Sequence, residues 1–79
     1  MRLDKYLKVS RLIKRRTIAQ EAASQGKISV NSKVAKPSTD VDVGDIIEIT
    51  FGERILKVEV TLVTEHALKK DANEMYKVL

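Results

Sequence analysis

Residues 17–35 read TIAQEAASQGKISVNSKVA, and the change of period inside this stretch decides the fold. Up to Gln25 the spacing is helical, and Ile18, Ala19, Ala22 and Ala23 form a narrow face of small side chains suited to close packing on a neighbour. Thr17 stands where an N-cap is wanted, with Gln20 three residues on to complete a capping box, and Gly26 stands where a left-handed C-terminal cap is wanted. After Gly26 the period is two. Lys27-Ile28-Ser29-Val30 alternates, Asn31-Ser32 makes a two-residue turn, and Lys33-Val34-Ala35 returns as the next strand.

Outward from this stretch, Leu3, Leu7, Val9, Leu12 and Ile13 keep helical spacing, so a first helix precedes the capped one. On the other side Pro37, Ser38 and Thr39 break the strand pattern. Val41-Asp42-Val43-Gly44-Asp45 is a tight turn feeding a strand from Ile46 to Phe51, and Gly52-Glu53 turns into an alternating run from Ile55 to Val63. Leu68, Ala72, Met75, Tyr76 and Leu79 then return to helical spacing, a stripe expected to pack on the core, with docking of a partner as its other use. The fold class is α+β: two N-terminal helices packed on a small antiparallel sheet, followed by a short C-terminal helix. Residues 1–79 form a single domain in this reading, with 1–52 as its core and 53–79 as a strand and helix extension.

A chain of 79 residues buries a modest core, about 60% of its unfolded surface. It has no cysteine, which removes disulfides and thiolate chemistry and suits a reducing compartment, so the expected location is the cytoplasm. No apolar run approaches the roughly 20 residues of a membrane span, and no signal-peptide core is present at the N-terminus. The glycines Gly26, Gly44 and Gly52 fit neither a P-loop nor a dinucleotide fingerprint. His66, the only histidine, falls near the start of the expected last helix beside Glu65; adjacent positions do not face one way, which points to a surface or capping role. Asp40, Asp42 and Asp45 lack the ligand spacing of a calcium loop and suit turns instead. No catalytic residue, metal site or cofactor is expected, and the chain reads as a binder.

What it binds follows from where the charge lies. Residues 1–36 carry ten basic residues against Asp4 and Glu21, a balance of +8, whereas residues 37–79 carry five against nine acids, a balance of −4. Positive charge concentrated on one part of a small molecule points to a polyanion. Lys5, Lys8 and Arg11 follow at helical spacing along one side, away from Leu3 and Leu7. Lys14-Arg15-Arg16 then clusters at the lead-in to the second helix, where backbone N–H groups and the helix dipole already favour phosphate. Lys27, Lys33 and Lys36 extend the surface around the first hairpin. Of the three aromatics, Phe51 and Tyr76 fall on core patterns, so a stacking platform for single-stranded bases is not expected. Recognition of a folded RNA by backbone and shape suits these residues, with a small DNA-binding regulator as the other class of reading.

Arg2-Leu3-Asp4-Lys5-Tyr6-Leu7, Ser10-Arg11, Arg15-Arg16-Thr17, Gly26 to Asn31, Lys36-Pro37-Ser38 and Val43-Gly44-Asp45 together resemble the RNA-binding domain named for small-subunit ribosomal protein S-four. The resemblance covers about residues 1–52, departs where Ser32 replaces the family's glycine, and implies the αL-type RNA-binding motif. Within the family it is nearest to small stand-alone proteins of ribosome quality control, with the heat-shock protein that rescues obstructed large subunits as a near relative. It implies as partners the large ribosomal subunit, a stem-loop of its rRNA and the P-site tRNA, with the tailing factor RqcH beside them. It implies a clamp that holds the tRNA of a split, stalled subunit while alanine is added to the nascent chain, and a monomer is expected because such a clamp, unlike a DNA-binding regulator, needs no second copy. The RNA-binding residues it nominates are Arg2 and Arg16 first, then Lys5, Lys8, Arg11, Lys14, Arg15, Thr17, Lys33 and Lys36, with Asp4 orienting a neighbouring arginine.

Overall fold

The computed structural model describes residues 1–79. Two short helices, α1 (Leu3–Val9) and α2 (Arg16–Ser24), lie on one face of a five-stranded antiparallel sheet. Its strands are β1 (Ile28–Val30), β2 (Lys33–Val34), β3 (Ile46–Phe51), β4 (Arg54–Val60) and β5 (Tyr76–Val78), in the order β2-β1-β3-β4-β5. Leu3, Tyr6 and Leu7 of α1 and Ala19 and Ala23 of α2 are buried against Ile28, Val30, Ile47, Ile49, Val58 and Val60 of the sheet. The alanines let the helices approach closely. Ile18, expected on the same face, is about half exposed at the rim of a groove shared with Ile49 and Phe51.

The second helix ends as its sequence predicts. Gly26 takes φ +76, its N–H bonds Ala23 O, and the Lys27 N–H reaches back to Ala22 O, a Schellman cap. Its beginning differs. Arg15 is the N-cap and no side chain caps the helix, so Thr17 lies inside the first turn and the Thr17–Gln20 capping box does not form. Gln20 is drawn instead to Asp4, a buried acceptor on α1, with Nε2 to Oδ2 at 2.9 Å.

The first helix is shorter than its periodicity suggests. Arg11 adopts φ 63 and its N–H bonds Lys8 O, so the chain leaves the helix at Ser10 and Leu12 and Ile13 lie in a turn. Arg11 is therefore not on the helical face shared by Lys5 and Lys8. The apolar spacing persists through the turn because Ile13 folds back, its N–H on Leu7 O at 3.1 Å, to fill the same core.

Both expected hairpins form. Gly52, at φ +59, opens a two-residue loop between Phe51 and Arg54, the geometry of a type II′ turn. Asn31 and Ser32 both have positive φ, 52 and 70, as a type I′ turn requires. Asn31 suits this place twice over, because its side chain accepts the Ile46 N–H and donates to Asp45 Oδ1, tying the hairpin to β3. Asp45 also accepts the Asp42 N–H at 2.9 Å, which makes it a turn former. Ser32 makes no side-chain hydrogen bond that would offset its left-handed backbone. Ser32→Gly is expected to stabilise the fold by about 0.5–1 kcal/mol, a rise of about 5 °C in the melting temperature. A thermal melt showing no rise overturns this.

The C-terminal segment departs most from expectation. No α-helix forms; residues 61–71 run without regular structure, Ala72–Glu74 make one 3-10 turn, and Tyr76–Val78 add β5 beside β4. β4 itself stops at Val60, short of the expected Val63. The unpaired edge of β4 offers a ladder of backbone groups, and pairing Val58, Glu59 and Val60 with Val78, Lys77 and Tyr76 satisfies more of them than an isolated short helix would. The helical stripe is thereby dispersed: Ala72 and Met75 are buried, Tyr76 is half-buried, Leu68 and Leu79 are exposed, and His66 lies in a loop. Phe51, expected in the core, ends β3 at the Gly52 turn and is 46% exposed.

Candidate nucleic-acid interface

The organising residue of the basic surface is an acid. Asp4, in the first turn of α1, is 0% exposed, and its carboxylate collects donors from two helices. Arg2 approaches with Nε 3.2 Å from Oδ1 and Nη2 3.3 Å from Oδ2. Arg16 approaches from α2 with Nε 3.3 Å from Oδ2 and Nη2 3.4 Å from Oδ1. Gln20 Nε2 and the Lys5 N–H complete the set at 2.9 and 2.8 Å. Burial by itself raises the Asp4 pKa, but the hydrogen bonds from Gln20, Arg16, Arg2 and the Lys5 backbone outweigh it and hold the pKa down to about 2. The carboxylate stays ionised at neutral pH, and the arginine side chains remain 53% and 43% exposed. Two guanidinium groups are thus fixed at one edge while their other donors point outward.

Local sequence produces this arrangement. Arg2 and Asp4 sit two apart across the start of α1, and Arg16 and Gln20 sit four apart on one face of α2, so both pairs reach one point where the helices meet. The start of α1 is closed by the chain itself: Leu3 and Asp4 donate their N–H groups to Thr39 O and Pro37 O at 2.8 and 3.1 Å. The start of α2, with Arg15, Arg16 and Thr17 exposed and no side-chain cap, leaves its first N–H groups open.

The other expected contact residues fall into groups. Lys36 and Arg2 flank a groove of about 580 Å3 between residues 34–38 and the end of α2. Lys8, Arg11 and Lys14 line a second concavity, of about 550 Å3, under the turn between the helices. Lys5 is drawn aside, its Nζ 3.3 Å from Glu65 Oε1. Lys33 lies exposed on the edge strand β2 and lines neither. Gln20, read in the sequence only as a cap partner, is the residue that sequence reasoning missed; its spacing of four from Arg16 is the signal that places it at the carboxylate.

Comparison with known proteins bears on these features. The S4 domain family model matches residues 1–47, which hold both helices and every expected contact residue. Across its whole length the chain is 54% identical to the RQC P-site tRNA stabilizing factor of Listeria innocua, covering 86% of that protein. It is 51% identical to the RQC P-site tRNA stabilizing factor of Bacillus subtilis, again over its whole length and covering 92% of that protein. Among solved structures, heat shock protein 15 of Vibrio cholerae, described as trimeric, superposes with a TM-score of 0.91 at 28% identity, over 100% of this chain and 81% of that one.

Proposed function

The chain belongs to the S4 domain family, among its RQC P-site tRNA stabilizing factors, and on that premise we propose that it binds large ribosomal subunits still carrying peptidyl-tRNA after stalling. In this reading it works as a monomer in the cytoplasm, contacts a large-subunit rRNA stem-loop and the P-site tRNA, and holds the tRNA while RqcH directs alanine tailing of the nascent chain. Its own side chains make and break no bond.

The observation that carries the reading is the pair of arginines held on Asp4. A guanidinium already fixed on one edge loses less rotamer freedom when a phosphate engages the other, so Arg2 and Arg16 are pre-organised for backbone oxygens. Two rigid forks at the junction of two helices read spacing between phosphates, which is shape recognition and not base readout. Lys36 beside Arg2, and Arg15 with Thr17 at the open start of α2, extend the same track. Heat-shock-type rescue of large subunits is the second reading. The fold likeness favours it, but at 28% identity against 51–54% it ranks below the first.

The test is sedimentation of tagged protein in lysate through a sucrose gradient. Wild type is expected to travel with free large subunits, and Arg2→Ala and Arg16→Ala are each expected to leave that fraction. Wild type remaining at the top of the gradient overturns the reading. With about five phosphate contacts, log affinity for isolated subunits should fall against log salt with a slope of about −4, and each arginine removed should flatten it by about one. A salt-insensitive interaction removes the phosphate basis of the proposal.

A further inference from the structure

The concavity under the turn between α1 and α2 holds features that phosphate binding does not explain. Its cationic wall is Lys8, Arg11 and Lys14, none of which forms an ion pair. Facing them are Ala67 and Leu68, the latter 65% exposed, and Asp71. The Asp71 carboxylate has neither ion pair nor hydrogen bond and does not cap the 3-10 turn that follows it. Glu65, the other acid in the lining, is occupied by Lys5. Arg11 holds a left-handed backbone at φ 63, unfavourable for a residue with a side chain, and its guanidinium makes no ion pair within the chain.

A free carboxylate weakens a site built for phosphate alone, and an apolar floor adds nothing to one. Both suit a ligand with phosphate at one end and a flat ring carrying N–H donors at the other. A space of about 550 Å3 lies within the usual range for small-ligand sites. We infer that this concavity receives a single unstacked nucleotide of the bound RNA, guanine by preference. Its phosphates lie on Lys8, Arg11 and Lys14, its ring lies against Leu68, and its base-pairing edge meets Asp71. Guanine presents N1–H and the N2 amino group side by side, matching both oxygens of a carboxylate. Uracil presents one N–H between two carbonyl oxygens that the carboxylate repels, and adenine and cytosine pair one amino group with an acceptor nitrogen. The inference rests on the RNA-binding reading above and adds base selection to a surface otherwise concerned with the backbone.

The test titrates the full chain with guanosine monophosphate, uridine monophosphate and inorganic phosphate, following backbone amide shifts by NMR. Guanosine monophosphate should move the amides of Arg11, Leu68 and Asp71 with a Kd about tenfold lower than that of uridine monophosphate. Within this concavity, phosphate should move the segment from Lys8 to Lys14 and leave the Leu68 and Asp71 amides in place, beside its response at Arg2 and Arg16. Asp71→Asn, which disturbs no hydrogen bond of the fold, should bring the two nucleotides within about twofold while leaving the phosphate response. Equal Kd values in wild type, or a preference unchanged by Asp71→Asn, overturn the inference. Sedimentation separates the two proposals: subunit binding lost in Arg2→Ala while nucleotides bind alike leaves the ribosomal reading and removes the guanine site. Wild type that fails to sediment, with a guanine preference abolished by Asp71→Asn, does the reverse.

Discussion

Asp4→Asn is expected to lower stability by about 2–3 kcal/mol at pH 7, because an amide offers one acceptor oxygen where the carboxylate serves Arg2, Arg16, Gln20 and the Lys5 N–H. The pH dependence fixes the sign. A folded-state pKa of about 2 against the ordinary 3.8 means that the folded protein binds fewer protons than the unfolded chain between those values. The stabilisation, about 2 kcal/mol, is fully present above pH 4 and fades as pH falls through about 2. Urea unfolding at pH 7 and pH 3 should therefore show wild type losing more stability than Asp4→Asn, and parallel profiles contradict the account. The same variant tests the interface. Removing an acid from a basic surface should strengthen attraction to RNA if Asp4 is a bystander, whereas unfixed arginines bind worse. We expect weaker subunit binding by Asp4→Asn despite its extra unit of net positive charge.

Tyr6→Ala is the second large effect, an expected loss of about 3–5 kcal/mol. The ring is fully buried beneath the helices, and its hydroxyl donates to Met75 O at 2.6 Å, joining α1 to the chain just before β5 across 69 positions of sequence. Burial, with the neighbouring Tyr76 adding to it, pushes the Tyr6 phenol well above its ordinary pKa, so it remains a donor throughout the working pH range. Tyr6→Phe should cost only about 1 kcal/mol, because the Met75 carbonyl keeps the Thr61 and Leu62 N–H groups at 2.9 and 3.3 Å. Small domains have total stabilities near the lower end of about 5–15 kcal/mol, so the alanine variant should be substantially unfolded at 37 °C while the phenylalanine variant stays folded. Near-ultraviolet and far-ultraviolet circular dichroism with urea titration reads the difference. Equal losses in the two variants would show that the hydrogen bond dominates and the packing does not.

The sequence by itself determined the elements whose signals are local. The step from helical to alternating spacing at Gly26 needs only a few neighbouring residues, as do the Asn31-Ser32 and Gly52 turns, and all three stand where the sequence puts them. The concentration of charge in residues 1–36 is likewise a property of the chain alone. Tertiary structure decided the rest. Arg11 leaves the helix so that Ile13 can return to the core, and Gln20 gives up a capping box for Asp4, a buried acid 16 positions away. Residues 72–78 carry apolar spacing that suits a helix, yet the open edge of β4 claims them as a strand. In each case local propensity amounts to a fraction of a kcal/mol per residue, whereas an unpaired sheet edge, an unfilled core or a buried carboxylate without donors costs one to several, roughly. Where distant groups impose costs of that size, spacing along the chain gives way to what the folded neighbours require.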